Sequence, residues 1–401
     1  MKTKKTILYG ALAVIFSLVL ALAFTACGDD DEHTHTWGAW KSNATQHWKE
    51  CTDNDGAKTD VANHTGNPCS VCGYDSLQNW TIVTDSTIWE GGYLGTADID
   101  AIVYGNGKFV AGSFGIMAYS ADGVNWTAAA GSTLGSFGIY GIAYGGGKFV
   151  AVGFQGKMEY SADGENWTAV EDSKFPGSID GSIRAIAYGS ASNAGGRFVA
   201  VGGEGKMAYS DNGENWIAVA DSTFPATLSF TLDDEDYTFS YSINGIAYGN
   251  NKFVAVGDFG KMAYSTDGIS WIAVEDSTLD DFFSINAIAY GNNRFVAVGS
   301  FGEMAYSTDG ISWIAVSNST FGTDAINGIT YGNNRFVAVG DDGKMAYSDN
   351  GASWTAVANS KFPATYTSYD YELSYSINGI AYGNGRFVAV GQQGKMAYAN
   401  W

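Results

Sequence analysis

From residue 99 to the end of the chain, apolar and polar positions recur in a pattern of about 40 residues. Each copy holds four short apolar runs separated by turn signals. In the copy that begins at Ile285 they read Ile285-Asn286-Ala287-Ile288-Ala289-Tyr290, Phe295-Val296-Ala297-Val298, Met304-Ala305-Tyr306 and Trp313-Ile314-Ala315-Val316. Runs this short, rich in Val, Ile, Tyr, Phe and Trp and closed by Gly-Asn, Gly-x-x-Gly and Asp-Gly, predict strands rather than helices. Four strands per unit is the pattern of a β-propeller blade, which cannot bury its faces alone and must stack on its neighbours.

The first run ends in Tyr104, Tyr144, Tyr188, Tyr248, Tyr290, Tyr331 and Tyr382, so seven blades are expected. The fourth-run tryptophan occurs only six times, at Trp126, Trp167, Trp216, Trp271, Trp313 and Trp354. The missing strand stands ahead of the repeats, where Asn79-Trp80-Thr81-Ile82-Val83 matches Asn166-Trp167-Thr168-Ala169-Val170. The fold class is therefore all-β: a seven-bladed propeller of four-stranded blades over 76–401, with 79–85 closing the ring as the outer strand of the last blade.

The turn Ser120-Ala121-Asp122-Gly123-Val124-Asn125-Trp126 and its copies resemble the Asp box of sialidase-type (BNR) propellers, with one residue fewer between Asp and Gly. Asp122, Asp163, Asp267 and Asp309 take the acidic position, and Asn212 and Asn350 replace it in two copies. Both residue types tolerate positive φ and cap local amides, so these positions are read as structural, with the tryptophan packing between blades. In that family the boxes lie away from the active site. Sialidases bind substrate through three arginines on the loop-rich face, and none of that set can be assembled here. The arginines at the repeated position belong to the scaffold and Arg184 stands alone. Sialidase activity is not expected.

All four histidines (His33, His35, His47, His64) and all four cysteines (Cys27, Cys51, Cys69, Cys72) precede the repeats. This excludes Cys or His nucleophiles, a His base and a His-ligated metal from the propeller, where no cofactor is expected. The net charge of −21 argues against nucleic acid as a partner.

Residues 1–26, with Lys2, Lys4 and Lys5 before an apolar run, read as an export signal. The Ala26-Cys27 junction resembles a bacterial lipobox, with Phe24 where leucine is usual, which implies a lipidated Cys27 and an extracytoplasmic protein anchored to the envelope, surface-exposed if the following acids act as an export signal. An uncleaved transmembrane anchor is the alternative. Residues 27–34 form an acidic tether. Residues 35–75 look like a zinc-ribbon-type module. Cys51, Cys69 and Cys72 with His64, or with His47 in its place, make a tetrahedral set for structural Zn²⁺. A disulfide from Cys51 with one free thiol, or a disordered spacer, are the other readings.

The blades differ mainly in loops on one face, where second-to-third turns and inter-blade links meet. Phe114, Phe154, Phe259 and Phe301 are expected at exposed turn tips near the axis. Two links carry insertions, 228–241 and 366–375, that alternate aromatic and acidic residues and suit hairpins. Tyr237, Tyr241, Tyr369 and Tyr371 there are candidate contacts, with a decorative hairpin as the alternative. On the opposite face Lys108, Lys148, Arg197, Lys252, Arg294, Arg335 and Arg386 form a ring expected to pair with the Asp-box carboxylates. The reading is a monomeric, membrane-anchored, non-catalytic binding or scaffold protein for a glycan or an envelope or extracellular protein. The alternative is a divergent Asp-box glycoside hydrolase using loop carboxylates such as Asp233, Glu235 and Glu372.

Overall fold

A computed structural model describes residues 37–42, 46–51, 58–63 and 76–400, apart from short loop segments at 85–86, 93–94, 135–137, 177–180, 192–194, 221–223, 225–226, 233–234, 276–282, 359, 361, 363–364 and 369–370. The chain divides into two units, Met1–Ser76 and Leu77–Trp401. In the first, Trp37–Ser42, Gln46–Cys51 and Lys58–Asn63 form an antiparallel sheet in chain order. His47 and Cys51 share its middle strand, and their side chains lie outside the described residues, as do Cys27, His64, Cys69 and Cys72 altogether.

The second unit is a propeller of seven four-stranded antiparallel sheets, with no α-helix among the described residues. We number the blades 1 to 7 from their inner strands, which begin at Ile99, Ile139, Ile183, Ile243, Ile285, Ile326 and Ile377. In blade 5 the strands are Ile285–Gly291, Arg294–Gly299, Met304–Ser307 and Ile314–Ala315. The second strand is buried at every residue from Phe295 to Gly299, because a neighbouring blade covers each of its faces. A strand sandwiched in this way reads as a continuous apolar run instead of an alternating one. The outer strand lies at the rim, and Ile217, Ile272 and Ile314 are exposed there.

Seven apolar clusters form the core, one at each seam between blades. Val254, Val256 and Met262 of blade 4 meet Ile285, Phe295, Ala297 and Trp313 of blade 5. The Ser-x-Asp-Gly-x-x-Trp tryptophan therefore packs against the blade before its own. The Tyr-Gly pair at the end of each inner strand sets a second seam contact. A Cβ added to Gly291 would fall 2.0 Å from the ring of Tyr331, and one on Gly383 2.0 Å from that of Tyr104. Each tyrosine lies on the glycine of the preceding blade and tilts against its own phenylalanine, with Tyr290 and Phe295 centroids 4.6 Å apart.

Ring closure follows the sequence expectation. Thr81–Ile82 pairs with the last strand through Ala397↔Ile82 and Tyr398↔Thr81. Trp80 supplies the seventh tryptophan, buried with Val337 and Val339 of blade 6 and donating Nε1–H to Leu77 O at 2.8 Å.

The turns before the outer strands are held locally. Ser307 Oγ accepts from Gly310 N at 2.8 Å, and Asp309 Oδ1 accepts from Ile311 N and Ser312 N at 2.8 Å. Asn350 Oδ1 accepts from Ala352 N and Ser353 N at 2.9 Å in the same geometry. Partial burial raises Asp309, but the amides of Ser312 and Ile311 and the hydroxyls of Ser307 and Ser312 outweigh it and hold its pKa at about 2. With these carboxylates already saturated, the basic ring does not pair with them as expected. Its members lie 4.4 to 5.5 Å from the centroid of a tyrosine in their own blade. They reach instead for the backbone or a different acid: Arg197 donates to Asp267 O at 2.6 Å and Lys252 to Asp309 O at 3.0 Å, while Lys148 pairs with Glu214.

Two outcomes follow from these contacts. Trp80→Ala should cost about 3–5 kcal/mol in denaturant unfolding, although Trp80 precedes the repeats, because the seam of blades 6 and 7 loses its wedge. Asp309→Ala should cost about 1 kcal/mol at neutral pH, and Asp309→Asn much less because its Oδ1 accepts the same amides. The folded pKa of Asp309 lies below the unfolded one, so its stabilising share is full above about pH 4 and is lost as pH falls towards 2. Asp309→Asn should flatten the stability profile over that window.

Candidate functional site

The starts of the inner strands, the second-to-third turns and the inter-blade links share one face of the propeller. Ile285 pairs with Gly299, and Ser300 N donates to Ser284 O at 2.9 Å, which brings all three together. The first turn residue points back to the scaffold. Asp258 accepts from Ser242 N and Asn244 Nδ2 at 2.9 Å and from Ser284 Oγ at 3.1 Å. The second turn residue adopts left-handed backbone, at φ 55° for both Phe259 and Phe301. Bulky residues seldom adopt this conformation, and the strain is tolerated only where the surroundings fix it.

Phe114, Phe259 and Phe301 are exposed, at 45%, 39% and 57% of their surface. Phe154, at the first position of its turn, is half-buried. Tyr241 departs from its expected role as a ligand contact. It is 5% exposed and stacks beneath Phe259 with centroids 4.9 Å apart, filling the space between turn and link. Phe283 supports Phe301 in the same manner at 4.8 Å. The two insertions form hairpins, Thr227–Leu232 with Glu235–Ser240 and Thr365–Ser368 with Tyr371–Ser374. Tyr237 and Tyr371 lie in their strands with side chains outside the described residues, and Tyr369 lies outside them altogether.

At the axis the second residue of each inner strand lines a channel cavity of about 200 Å³. In blades 4 to 7 that residue is Asn244, Asn286, Asn327 and Asn378, and each amide donates to the first carbonyl of the following blade. The acceptors are Ile285 O, Ile326 O, Ile377 O and Ile99 O, at 3.0 to 3.2 Å. Blades 1 to 3 break this ring with Asp100, Tyr140 and Arg184. Arg184 Nη1 donates to Asn244 Oδ1 at 3.0 Å, and Asn378 Nδ2 donates to Asp100 Oδ1 at 3.2 Å. Beside them opens a polar cavity of about 540 Å³, lined by Tyr140, Ser182, Arg184, Asn244, Asp258, Ser284, Asn286 and Ser300. Asp258 and Ser300 are the residues just before Phe259 and Phe301, so this cavity adjoins the turns that carry the two exposed rings.

Burial, and then the charge of Asp98, push Asp100 up to about 7 against the hydrogen bond from Asn378. Burial and Asp100 likewise raise Tyr140, with Arg184 opposing. Neither Asp100 nor Tyr140 stands out in the sequence taken singly, and Arg184 looks isolated there. The signal was present in the position after the first isoleucine of each repeat, which is Asn in four consecutive blades and Asp, Tyr and Arg in the other three. Among the described residues no group of three or more His, Cys, Asp or Glu side chains is gathered to hold a metal.

Asp100→Asn should add a fifth amide link, to Ile139 O, and remove a desolvated carboxylate. Since the folded pKa exceeds the unfolded one, the wild-type protein's extra stability is full below about pH 4 and is lost as pH rises through about 7. The variant should therefore be more stable than wild type at pH 8, on the order of 1–2 kcal/mol after screening at a wet channel mouth, and near equal at pH 4. Thermal melts at the two pH values measure this.

Comparison with known proteins agrees with the propeller. Two solved structures of YCF48, one described as bound to D1 peptide and one from Cyanidioschyzon merolae, match with TM-scores of 0.56 and 0.55 at 16% and 18% identity, covering 80% of this chain and 97% and 98% of theirs. The WD40 propeller domain of Doa1 matches with a TM-score of 0.53 at 10% identity, over 80% of this chain and 96% of its own. At these identities the likeness is one of fold. A search of curated proteins found no match. The model of the DUF6242 beta propeller domain matches residues 61–290, and the chain belongs to that family.

Proposed function

We propose that this chain is an extracytoplasmic binding scaffold, tethered to the cell envelope through a lipid on Cys27, whose loop face holds an envelope or extracellular protein. The observation that carries this reading is the gathering of exposed aromatic rings and inserted hairpins on one face. On the face of the Ser-x-Asp-Gly-x-x-Trp turns six blades repeat one turn geometry, and all seven bases lie over a tyrosine of their own blade. On the other face lie both hairpins, the exposed Phe114, Phe259 and Phe301, and the broken asparagine ring. Exposed aromatics over a rigid scaffold are the usual material of a recognition surface. The peptide-bound YCF48 structure offers a precedent for a propeller of this shape holding a polypeptide, which favours a protein partner over a glycan. A structural Zn²⁺ held by Cys51, Cys69, Cys72 and His64 or His47 would serve to stabilise the N-terminal module.

The test is capture of envelope and extracellular proteins, alongside a glycan array, by the whole chain and by two variants. One carries 228–241 and 366–375 shortened to the length of the other links. The other is Phe259→Ser with Phe301→Ser. The expected result is a protein retained by wild type and lost, by about tenfold or more in affinity, from both variants with melting behaviour preserved. Retention by both variants would move the interface off this face. A glycan bound and turned over would replace the scaffold with a hydrolase.

A further inference from the structure

The broken part of the axial ring bears on a second kind of ligand. Asp100 is an acid and Arg184 a base, both line the same channel cavity, and Tyr140 stands between them on the intervening blade. Each is held by an asparagine from the far side, Asp100 by Asn378 and Arg184 by Asn244. Among the described residues neither makes an ion pair, with the other or with any third group. Tyr140 feels both charges, in opposite senses.

From this geometry we infer that the channel mouth binds a small zwitterion of the amino-acid class, its carboxylate on Arg184, its ammonium on Asp100, and Tyr140 Oη bonded between them. The electrostatic argument is one of reversed order. Two unlike charges set on separate blades of one channel mouth are complementary to a molecule that carries the same two charges the other way round. A guanidinium offers a planar fork to a carboxylate, and Arg184 spends one donor on Asn244, leaving others for a ligand. Asp100 is desolvated at a cost that a bound ammonium offsets, since a nearby cation restores the carboxylate's charged form. The surrounding Asn and Ser groups of the adjoining cavity offer further hydrogen bonds to polar atoms. A purely anionic ligand meets Asp98 and Asp100, and a purely cationic one meets Arg184. The arrangement thus selects against either alone. This goes beyond the scaffold reading and does not depend on it.

The test is titration calorimetry of the full chain with glycine, β-alanine, 4-aminobutyrate and 5-aminopentanoate, which vary the separation of the two charges. Propionate and propylamine serve as singly charged controls. One or two members of the series are expected to bind, with both controls weaker by about tenfold or more. Arg184→Gln and Asp100→Asn should each lower the affinity of the best zwitterion by at least about tenfold, with folding checked by thermal melts. The hairpin-shortened variant should bind it unchanged, which separates this site from the macromolecular interface. The inference is overturned if no member binds at ~10 mM, if propionate or propylamine binds as well as the best zwitterion, or if either charge-removing variant binds it as wild type does.

Discussion

Each inner-strand tyrosine lies directly on the glycine of the blade before it, and the rest of the propeller depends on that approach. A Cβ on those glycines would fall 2.0 to 2.2 Å from ring atoms at all seven seams. The contact fixes how closely neighbouring inner strands can pack. It also tilts the tyrosine against the phenylalanine that opens the buried second strand, and so couples the spacing of blades to the packing within each one. Because blade 7 meets blade 1 through the same pair, Gly383 and Tyr104, the ring closes without a special joint at the axis. A special joint lies at the rim, where Thr81–Ile82 and Trp80 complete the last blade from the other end of the propeller. In a ring whose cores are all seams, closure protects every blade, since an open ring would leave two apolar faces uncovered.

The polar contacts divide by face. On one side the Ser-Asp-Gly turns satisfy themselves, and the bases beside them stack on tyrosines and reach across to the next blade's carbonyls. Groups committed to internal bonds in this way are not free to bind a partner, which is why the ring of seven bases reads as scaffold. On the other side the first turn residue is committed inward, as Asp258 shows with three accepted hydrogen bonds. The second turn residue is free to vary, and Phe259 and Phe301 take it in a backbone conformation that suits glycine or asparagine better.

Much of the fold was legible in the sequence because one pattern, read seven times, averages out local ambiguity. The count of inner-strand tyrosines gave the blade number, and the match of Asn79–Val83 to Asn166–Val170 gave the closure. What misled was reasoning from residue type without geometry. The bases and the Asp-turn carboxylates lie on the same face and have opposite charge, yet the carboxylates are filled by amides two and three residues on. The aromatic-acidic context of Tyr241 suggests a ligand contact, whereas its ring packs against Phe259. Asp100, Tyr140 and Arg184 escaped because each, taken singly, looks like an ordinary polar residue at a strand start. Only alignment of the repeats to one another shows that they replace a structural asparagine.

That replacement has a physical cost. Blades 4 to 7 use the asparagine amide to tie each inner strand to the next at the channel wall. Three adjacent blades forgo the tie, and one of them puts in its place a carboxylate that burial and Asp98 push up to about 7. The three replacements fall side by side and bring an acid, a phenol and a guanidinium to one mouth. Real folds break their own local rules where a site requires it. Asp100, Tyr140 and Arg184 thus exchange a structural tie between inner strands for three side chains of differing chemistry at the channel wall.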